Sequence, residues 1–415
     1  MFGIKNTVLR STVCMDNFSR NLSVLVLNAG SSSIKFQVLD TSTGEHRVKG
    51  LAQNLNKSKG ELVWSRQGKQ KTKSTLENTD LETVLEQVLK IVSTESIDLI
   101  GHRVVHGGEK YTLPTKLNKD VVKNLKYLSK LAPLHNPAQL AVIEHMLDIF
   151  GLVPQAAIFD TAFYSRVPPH AFMYPVPYSW YSQYGVRKYG FHGISHQYIT
   201  EEAAVLLSRP LASLNIVSCH LGAGCSVTAS KGGVGVDTSM GFSPLSGIMM
   251  GSRSGDVDPT VLLHIAGETG RTMSSILEEL NSNSGFKGIT GTPDSIEVEH
   301  MFHQNEEKGI LAVDMFGYNI AKYIASFLVP LGRIDALVFS GGIGENSSLK
   351  RAVIIQHLSC LGFKCETEAN NRCVLGQGGL ISPIGVKPSV LVVNTDEEKI
   401  IAQLTQQLYT EKSNN

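Results

Sequence analysis

Residues 24–40 read VLVLNAGSSSIKFQVLD, and the pattern leaves little choice of local fold. A β-branched and leucine run from Val24 to Leu27 breaks at Asn28-Ala29-Gly30-Ser31-Ser32-Ser33. It resumes with strict alternation, Ile34, Phe36 and Val38 apolar against Lys35 and Gln37 polar. That is strand, tight turn, strand. Almost half a chain later, CHLGAGCSVTAS (residues 219–230) repeats the plan of LNAGSSSIKFQV: strand, polar residue, Gly turn, serine, strand. A duplicated domain with a phosphate-gripping turn in each half explains both. Chance likeness of two Gly-rich turns is the competing explanation.

Around these hairpins, strand and helix signals alternate. Residues 98–105 (DLIGHRVV), 155–160 (QAAIFD), 215–218, 336–339 and 389–393 read as strands. Residues 81–92 have helical spacing, and 119–131 form an amphipathic helix stopped by Pro133. Asn136-Pro137 open another helix that Gly151 closes. The polar, Lys-rich stretch 54–80 reads as surface strands and loops. The alternation points to an α/β architecture. At 415 residues the chain is too long for one ordinary core, and 42% hydrophobic residues suffice for more than one.

A formal net charge of +1 gives no global field for nucleic acid or membrane, so neither partner is expected and any anion site must be a local cluster. No apolar run reaches bilayer length. Cys14, Cys219, Cys225, Cys360, Cys365 and Cys373 include no C-x-x-C pair, which fits free thiols in a reducing compartment. Residues 1–20 carry Lys5, Arg10 and Arg20 against Asp16 without an apolar secretory core; we read a disposable extension on a cytoplasmic protein, with Met15 an equally good start.

Several stretches carry chemistry. A Gly-Ser turn gathers backbone N–H groups into an anion nest, with Lys35 supplying charge and Asn28 a carbonyl for a metal-bound water. An ordinary hairpin turn would use the same residues. FSGGIGENSSLKR (residues 339–351) reads as strand, Gly loop and helix, with Asn346 or Ser347 as cap, a seat for phosphate. It is neither a Walker loop nor a full dinucleotide fingerprint. Arg103 lies inside an apolar strand and needs a partner there. Arg253 sits in the Gly-rich loop MMGSRSGDVDP, and arginine forks bind carboxylate and phosphate; a salt bridge to a structural acid is the commoner fate of each. His192 and His196 have the four-residue spacing of a metal pair but lack the glutamate of H-E-x-x-H, and His192 between Gly190 and Gly193 looks like an exposed donor. His135 and His220 are further candidates. Thr395 and Glu398 have capping-box spacing, which makes Glu398 structural and leaves Glu397 to hold a metal.

Together, NAGSSSIKF, GHRVVHGG, APLHNPA, FDTAF, YGFHGISH, HLGAGCS, DTSMGFSPLSGIMMGSRSGDVDP, SGGIGEN and TDEE resemble the acetate kinase family, of the acetate and sugar kinase, Hsp70 and actin superfamily. The likeness runs from about Leu22 to near the C-terminus. It implies two duplicated actin-like (ribonuclease H-like) α/β domains flanking an active-site cleft. The implied units are an extension 1–20, an N-terminal domain 21–165 completed by a C-terminal helix 398–415, and a nucleotide-binding and dimerisation domain 166–397. It also implies a homodimer that moves phosphate between ATP and acetate with Mg²⁺, or Mn²⁺ in its place. By motif, Asn28 and Glu397 would hold the metal and Lys35 would contact nucleotide phosphate. Arg103 would bind the substrate carboxylate. Asp160 matches the family's catalytic acid, and His192 and Arg253 would stabilise the transferring phosphoryl group. His220, Leu221, Gly222, Ala223 and Gly224 would form the phosphate loop. Asp294, Ser295 and Ile296, with Gly341, Gly342, Ile343, Gly344 and Glu345, would form the nucleoside site. Val105, Leu134, Phe191 and Pro244 match the acyl pocket.

The physics agrees with that reading. Acetate is already ionised near neutral pH and needs no general base. The difficulty is bringing one anion against another, which two arginines, a histidine and Mg²⁺ would ease. Asp160 is then expected to orient an arginine or the metal's waters rather than remove a proton. Valine at 105 narrows the acyl pocket, so acetate is expected first and propionate second. Three departures stand out. Ala223 replaces the usual Asn of H-L-G-N-G. Ile296 replaces the arginine of D-x-R, which bears on nucleoside choice and leaves room for another phosphoryl donor. Tyr164 stands where His is common and is read as the least consequential. The rivals are a propionate or butyrate kinase, an Hsp70-like nucleotide-dependent binding module, a nicotinamide oxidoreductase and an inactive homologue.

Overall fold

The computed structural model describes residues 22–30, 32–133 and 135–411. The expected extension 1–20, Ser31 of the first turn, Leu134 of the acyl pocket and residues 412–415 lie outside the described residues. Among the described residues the strands form two sheets. The first holds β1 (Ser23–Ala29), β2 (Ser33–Asp40), β3 (His46–Gln53), β4 (Gly60–Arg66), β5 (Thr72–Leu76), β6 (Leu99–Val104), β7 (Thr115–Lys116) and β8 (Gln155–Phe159). Their order is β5-β4-β3-β2-β1-β6-β8-β7. The second holds β9 (Asn215–Leu221), β10 (Cys225–Lys231), β11 (Val234–Thr238), β12 (Ala336–Ser340), β13 (Gly379–Leu380) and β14 (Ser389–Val392), in the order β11-β10-β9-β12-β14-β13.

The two sheets share one wiring. β1 is antiparallel to β2 and parallel to β6, which is parallel to β8. β9 is antiparallel to β10 and parallel to β12, which is parallel to β14. The two Gly hairpins therefore occupy the same slot in two copies of one α/β unit, and duplication, not chance, accounts for the internal echo. Central strands β1 and β8 are buried along their whole length, which is why they read as apolar runs; β2 alternates more openly.

One face of the first sheet packs the helices Leu81–Val92 and Asn136–Ile149 through Val84, Leu85, Val88, Val142 and Met146. The other face receives the last helix, Glu397–Thr410. It follows β14 of the second sheet, yet its Ile400, Ile401 and Ala402 pack with Val24, Val26, Leu99 and Ile158. The approach is close: a Cβ at Gly101 would sit 2.6 Å from Thr405 Oγ1, so a larger residue would push the helix off. This crossing carries the chain past both units and brings residues 395–398 between them.

Two local expectations are corrected. GGIGEN is not a loop. Gly341–Asn346 is helical straight out of β12, because Glu345 Oε1 accepts the Gly341 N–H at 2.9 Å and closes the turn. Ser347 then caps the next helix, Ser348–His357, accepting from Lys350 N. At the last helix, Asp396 and not Thr395 is the cap, its Oδ1 accepting the Lys399 N–H at 2.9 Å. Among the described residues no helix is long and apolar enough to cross a membrane.

Candidate active site

In each sheet the parallel strands end toward the same region, where ligands of open α/β sheets bind. The register Leu27↔His102 sets Asn28 beside Arg103, and Asp160 follows β8 directly. Arg103 Nε donates to both Asp160 oxygens at 3.2 Å and Nη2 donates to Oδ2 at 2.6 Å. Nη1 donates to Asn28 Oδ1 at 3.0 Å, and Nε lies 3.9 Å from Glu397 Oε2. The partner that a buried arginine needs is thus Asp160, itself 1% exposed. The contacts use one N–H on each guanidinium nitrogen; of five donors, the second hydrogens on Nη1 and Nη2 remain for a ligand.

Asn28 Nδ2 donates to Glu397 Oε2 at 3.2 Å and to Glu398 Oε1 at 3.1 Å. Glu398, read from spacing as structural, therefore belongs to the site. Burial acts against the Arg103 charge, but Asp160 and Glu397 outweigh it and hold the guanidinium above its ordinary range. Burial raises the Asp160 carboxyl against the pull of Arg103. Burial also acts upward on Glu397, but Arg103, His220 and Lys35 bring it below its ordinary value; Glu398 is raised by burial and by Glu397's charge. Three carboxyl groups around one arginine leave excess negative character in a half-closed place, which suits a cation. Among the described residues no three His, Cys, Asp or Glu side chains form a chelating cluster.

The second cluster faces this one. His192 opens the helix Gly193–Leu206 in the left-handed region, φ 57° and ψ 22°. The next residue explains the strain: Gly193 N donates to Asp160 O at 3.1 Å, and a Cβ there would lie only 2.0 Å from that oxygen. His192 and Asp160 are thereby locked together through the backbone. The His192 ring lies 4.4 Å from that of His220. A Cβ at Gly224 would meet His192 Cε1 and Nε2 at 3.2 Å and Arg253 Nη1 at 3.4 Å. Arg103 and Arg253 both act electrostatically on His192 and on His135. The structure therefore brings Arg103, His192, Arg253, His220 and the turn Gly222-Ala223-Gly224 into one crevice. Among the described residues Arg253 has no acidic partner; its Nη1 donates only to Pro244 O at 3.4 Å and weakly to Met250 Sδ. Burial draws its guanidinium below the ordinary range.

His192, expected as an exposed donor, is half-buried, and burial first, then His220, Arg103, His196 and Arg253, holds it well below the usual imidazole value. Burial likewise lowers His220 to about 4. Both are neutral at pH 7 in the free protein and offer an N–H, not a charge.

The nucleoside segments adjoin. A Cβ at Gly222 would lie 3.9 Å from Gly342 N, and one at Gly251 would lie 3.1 Å from Pro293 O and 3.7 Å from Ala223 O. The buried Gly341, Ile343 and Gly344 form the base of that wall, with Leu221 fully buried beneath. Asp294 caps the helix Ser295–His303 by accepting from Ile296 N, and Ile296 is 68% exposed. Lys35 pairs with Asn28 across the first hairpin and stands exposed at its rim. Val105 and Phe191 share a buried cluster, and Pro244 is half-buried beside Arg253.

Sequence reasoning missed the hydroxyls behind the histidines. Ser195 Oγ bonds His220 Nδ1 and Thr395 Oγ1, both at 2.8 Å. His196 is fully buried between Ser218 and Ser226, not half of a metal pair. Tyr164, the third departure, is 1% exposed, and its hydroxyl donates to Phe191 O at 2.8 Å and meets Thr228 Oγ1 at 2.9 Å. The one available signal was the helical spacing of Ser195 and His196 from His192.

The profile of the acetokinase family matches residues 23–403. The chain is 44% identical over 389 residues to the acetate kinase of Deinococcus deserti, covering 92% of this chain and 97% of that protein. It is 40% identical to that of Shewanella oneidensis, covering 94% and 99%. Among solved structures it is similar to a propionate kinase from Francisella tularensis (TM-score 0.88, 38% identity, covering 93% and 99%). It is also similar to an acetate kinase from Porphyromonas gingivalis (0.87, 34%, covering 93% and 99%).

Proposed function

The chain belongs to the acetokinase family, and we propose from that premise that it transfers a phosphoryl group reversibly between ATP and acetate, giving acetyl phosphate and ADP. It is a phosphotransferase with a carboxylate acceptor. The observation that carries the reading is Arg253: a half-buried guanidinium with no acidic partner among the described residues, sharing the Gly224 turn with the His192 imidazole. Such a cation asks for an anion with several oxygens.

We assign the acetate carboxylate to the free N–H groups of Arg103, with the methyl group toward Val105, Phe191 and Pro244. The transferring phosphoryl group is assigned to His192, Arg253 and the backbone of residues 222–224. The other phosphates and the nucleoside are assigned to His220, Lys35, the helical turn Gly341–Asn346 and residues 294–296. Asp160 keeps Arg103 aimed. Asn28 and Glu397, with Glu398 behind them, would hold magnesium, which supplies charge neutralisation for the phosphates when bound. Acetate arrives ionised, so none of these groups has to remove a proton from it. What they supply is position and a field fixed before reaction.

The test is formation of hydroxylamine-trappable acyl phosphate from acetate, Mg²⁺ and a panel of phosphoryl donors. No product with any donor would overturn the assignment. We expect acetate to outrun propionate and butyrate; butyrate reacting as fast as acetate would refute the Val105 argument. With Ile296 in place of an arginine, we expect GTP to serve nearly as well as ATP. A homodimer is supported by the helix Pro259–Thr269, which buries none of its residues although Val261 and Leu263 are apolar; light scattering should return the mass of two chains, and a monomer mass would refute it. Free thiols at Cys219, Cys225 and Cys373 support a cytoplasmic location, which fractionation would check.

A further inference from the structure

A line of four side chains runs from the core of the second unit to the cleft. Ser218 Oγ lies 2.7 Å from His196 Nδ1, His196 Nε2 lies 2.7 Å from Ser226 Oγ, and Ser226 Oγ lies 2.9 Å from His192 Nδ1. Ser218, His196 and Ser226 are all 0% exposed. The far edge of the His192 ring, Cε1 and Nε2, faces Gly224.

Counting hydrogens decides the direction of this line. Each neutral member brings one hydrogen, and each contact between neighbours uses one. Three contacts among four members leave one hydrogen over: on Ser218, on His192 Nε2, or on Ser226 if its oxygen accepts from both rings. That last case fails because, among the described residues, Ser226 Oγ meets only these two rings and its own buried hydrogen would lack an acceptor. If the donors point inward, that hydrogen sits on Ser218. Among the described residues Ser218 Oγ has no partner but His196, so a fully buried hydroxyl hydrogen would lack an acceptor, which is costly. If the donors point outward, Ser218 donates to His196, His196 to Ser226 and Ser226 to His192 Nδ1. The extra hydrogen then appears on His192 Nε2, at the glycine turn, where an anionic oxygen can accept it.

We propose that Ser226 and His196 are positioning residues that fix His192 as its Nε2–H tautomer, so that it meets the phosphoryl group as a hydrogen-bond donor. No proton moves; the line holds one arrangement before substrate arrives. The consequence for catalysis rests on the phosphoryl-transfer reading above, whereas the tautomer does not.

The test has two arms on the full chain. In long-range ¹H–¹⁵N spectra of the labelled protein at pH 7.5, His192 should show a protonated Nε2 and a bare Nδ1; a protonated Nδ1 overturns the proposal, whether or not any variant folds. In kinetics, Ser226→Ala should lower kcat by about 10- to 100-fold with little change in the KM for acetate, because an imidazole of mixed tautomer is a poorer donor. Ser226→Thr should recover most of that loss. In a His192→Gln background, Ser226→Ala should cost little more; an equal cost there would mean that Ser226 acts only on the fold. Wild-type protein with the expected tautomer but no acyl phosphate product would sink the functional reading and leave the tautomer assignment standing.

Discussion

Asp160→Asn separates two roles that a buried acid beside an arginine can have. Asparagine keeps the shape and removes the charge. In the native site Asp160 takes hydrogen bonds from Arg103 Nε and Nη2, the shortest at 2.6 Å. Breaking a buried ion pair with no substitute costs about 3–5 kcal/mol. Here Glu397 at 3.9 Å and Asn28 at 3.0 Å still hold the guanidinium, so we expect about 2–3 kcal/mol of that loss. At ~1.4 kcal/mol per tenfold, kcat/KM for acetate should fall about 30- to 150-fold at saturating Mg²⁺. If Asp160 works by aiming Arg103, the loss disappears once that arginine is gone. The assay is a double-mutant cycle with Arg103→Ala, followed by acyl phosphate formation, with thermal unfolding to confirm that each variant is folded. Costs that simply add would refute the argument and give Asp160 a direct part in the chemistry.

Three further outcomes follow from particular contacts. Gly193→Ala puts a methyl 2.0 Å from Asp160 O; the shift of about 1 Å needed to relieve it should cost about 10- to 100-fold in kcat and about 1–3 kcal/mol in stability, and native rates and unfolding temperature would contradict this. Val105→Ala should raise the propionate-to-acetate ratio of kcat/KM by about 5- to 10-fold; an unchanged ratio would place the chain-length limit elsewhere. Burial lowers His102 to about 4, and burial with Arg187 nearby lowers His106 to about 4. The unfolded chain therefore binds more protons than the folded one between pH 6.5 and 4, so this stability is complete above pH ~6.5 and drains away as pH falls, by up to roughly 3 kcal/mol per histidine. Denaturation midpoints that stay flat from pH 7 to 4.5 would refute it.

What the sequence disclosed was local or repeated. The strand–turn–strand of residues 24–40 follows from period and turn chemistry, and its echo at 219–230 foretold the second unit. That Arg103 needed a partner was legible from one charge in an apolar strand. The partner's identity was not, because Asp160 comes beside it only through the parallel register of β6 and β8, 57 residues apart. Glu398 was misread for a definite reason: Thr395 and Glu398 have capping-box spacing, but Asp396 takes the cap, which frees Glu398 to meet Asn28. Ser195 shows only its helical spacing from His192 and Ser226 only its place after the Gly turn, while Ser218 carries no local mark, since a serine in a buried strand looks the same whether or not a histidine lies against it.

The two units contribute opposite chemistry to the crevice, and the neutrality of the imidazoles makes that arrangement workable. The first unit and the final helix supply Asp160, Glu397 and Glu398 around Arg103; the second supplies His192, His220, the glycine turn and Arg253. Were both imidazoles charged, two cations with rings 4.4 Å apart would repel each other and attract Glu397, whose carboxylate already feels His220. The site would then satisfy itself, acid against base, and an entering anion would have to break that pairing. Held neutral by burial, the histidines do not pair with the acids, which under the proposed function would be left to a metal cation, and among the described residues Arg253 keeps its charge without an acidic partner. On the proposed function, preference for an incoming phosphoryl group over internal neutralisation would follow from where the second unit buries its rings, not from how many basic residues it has.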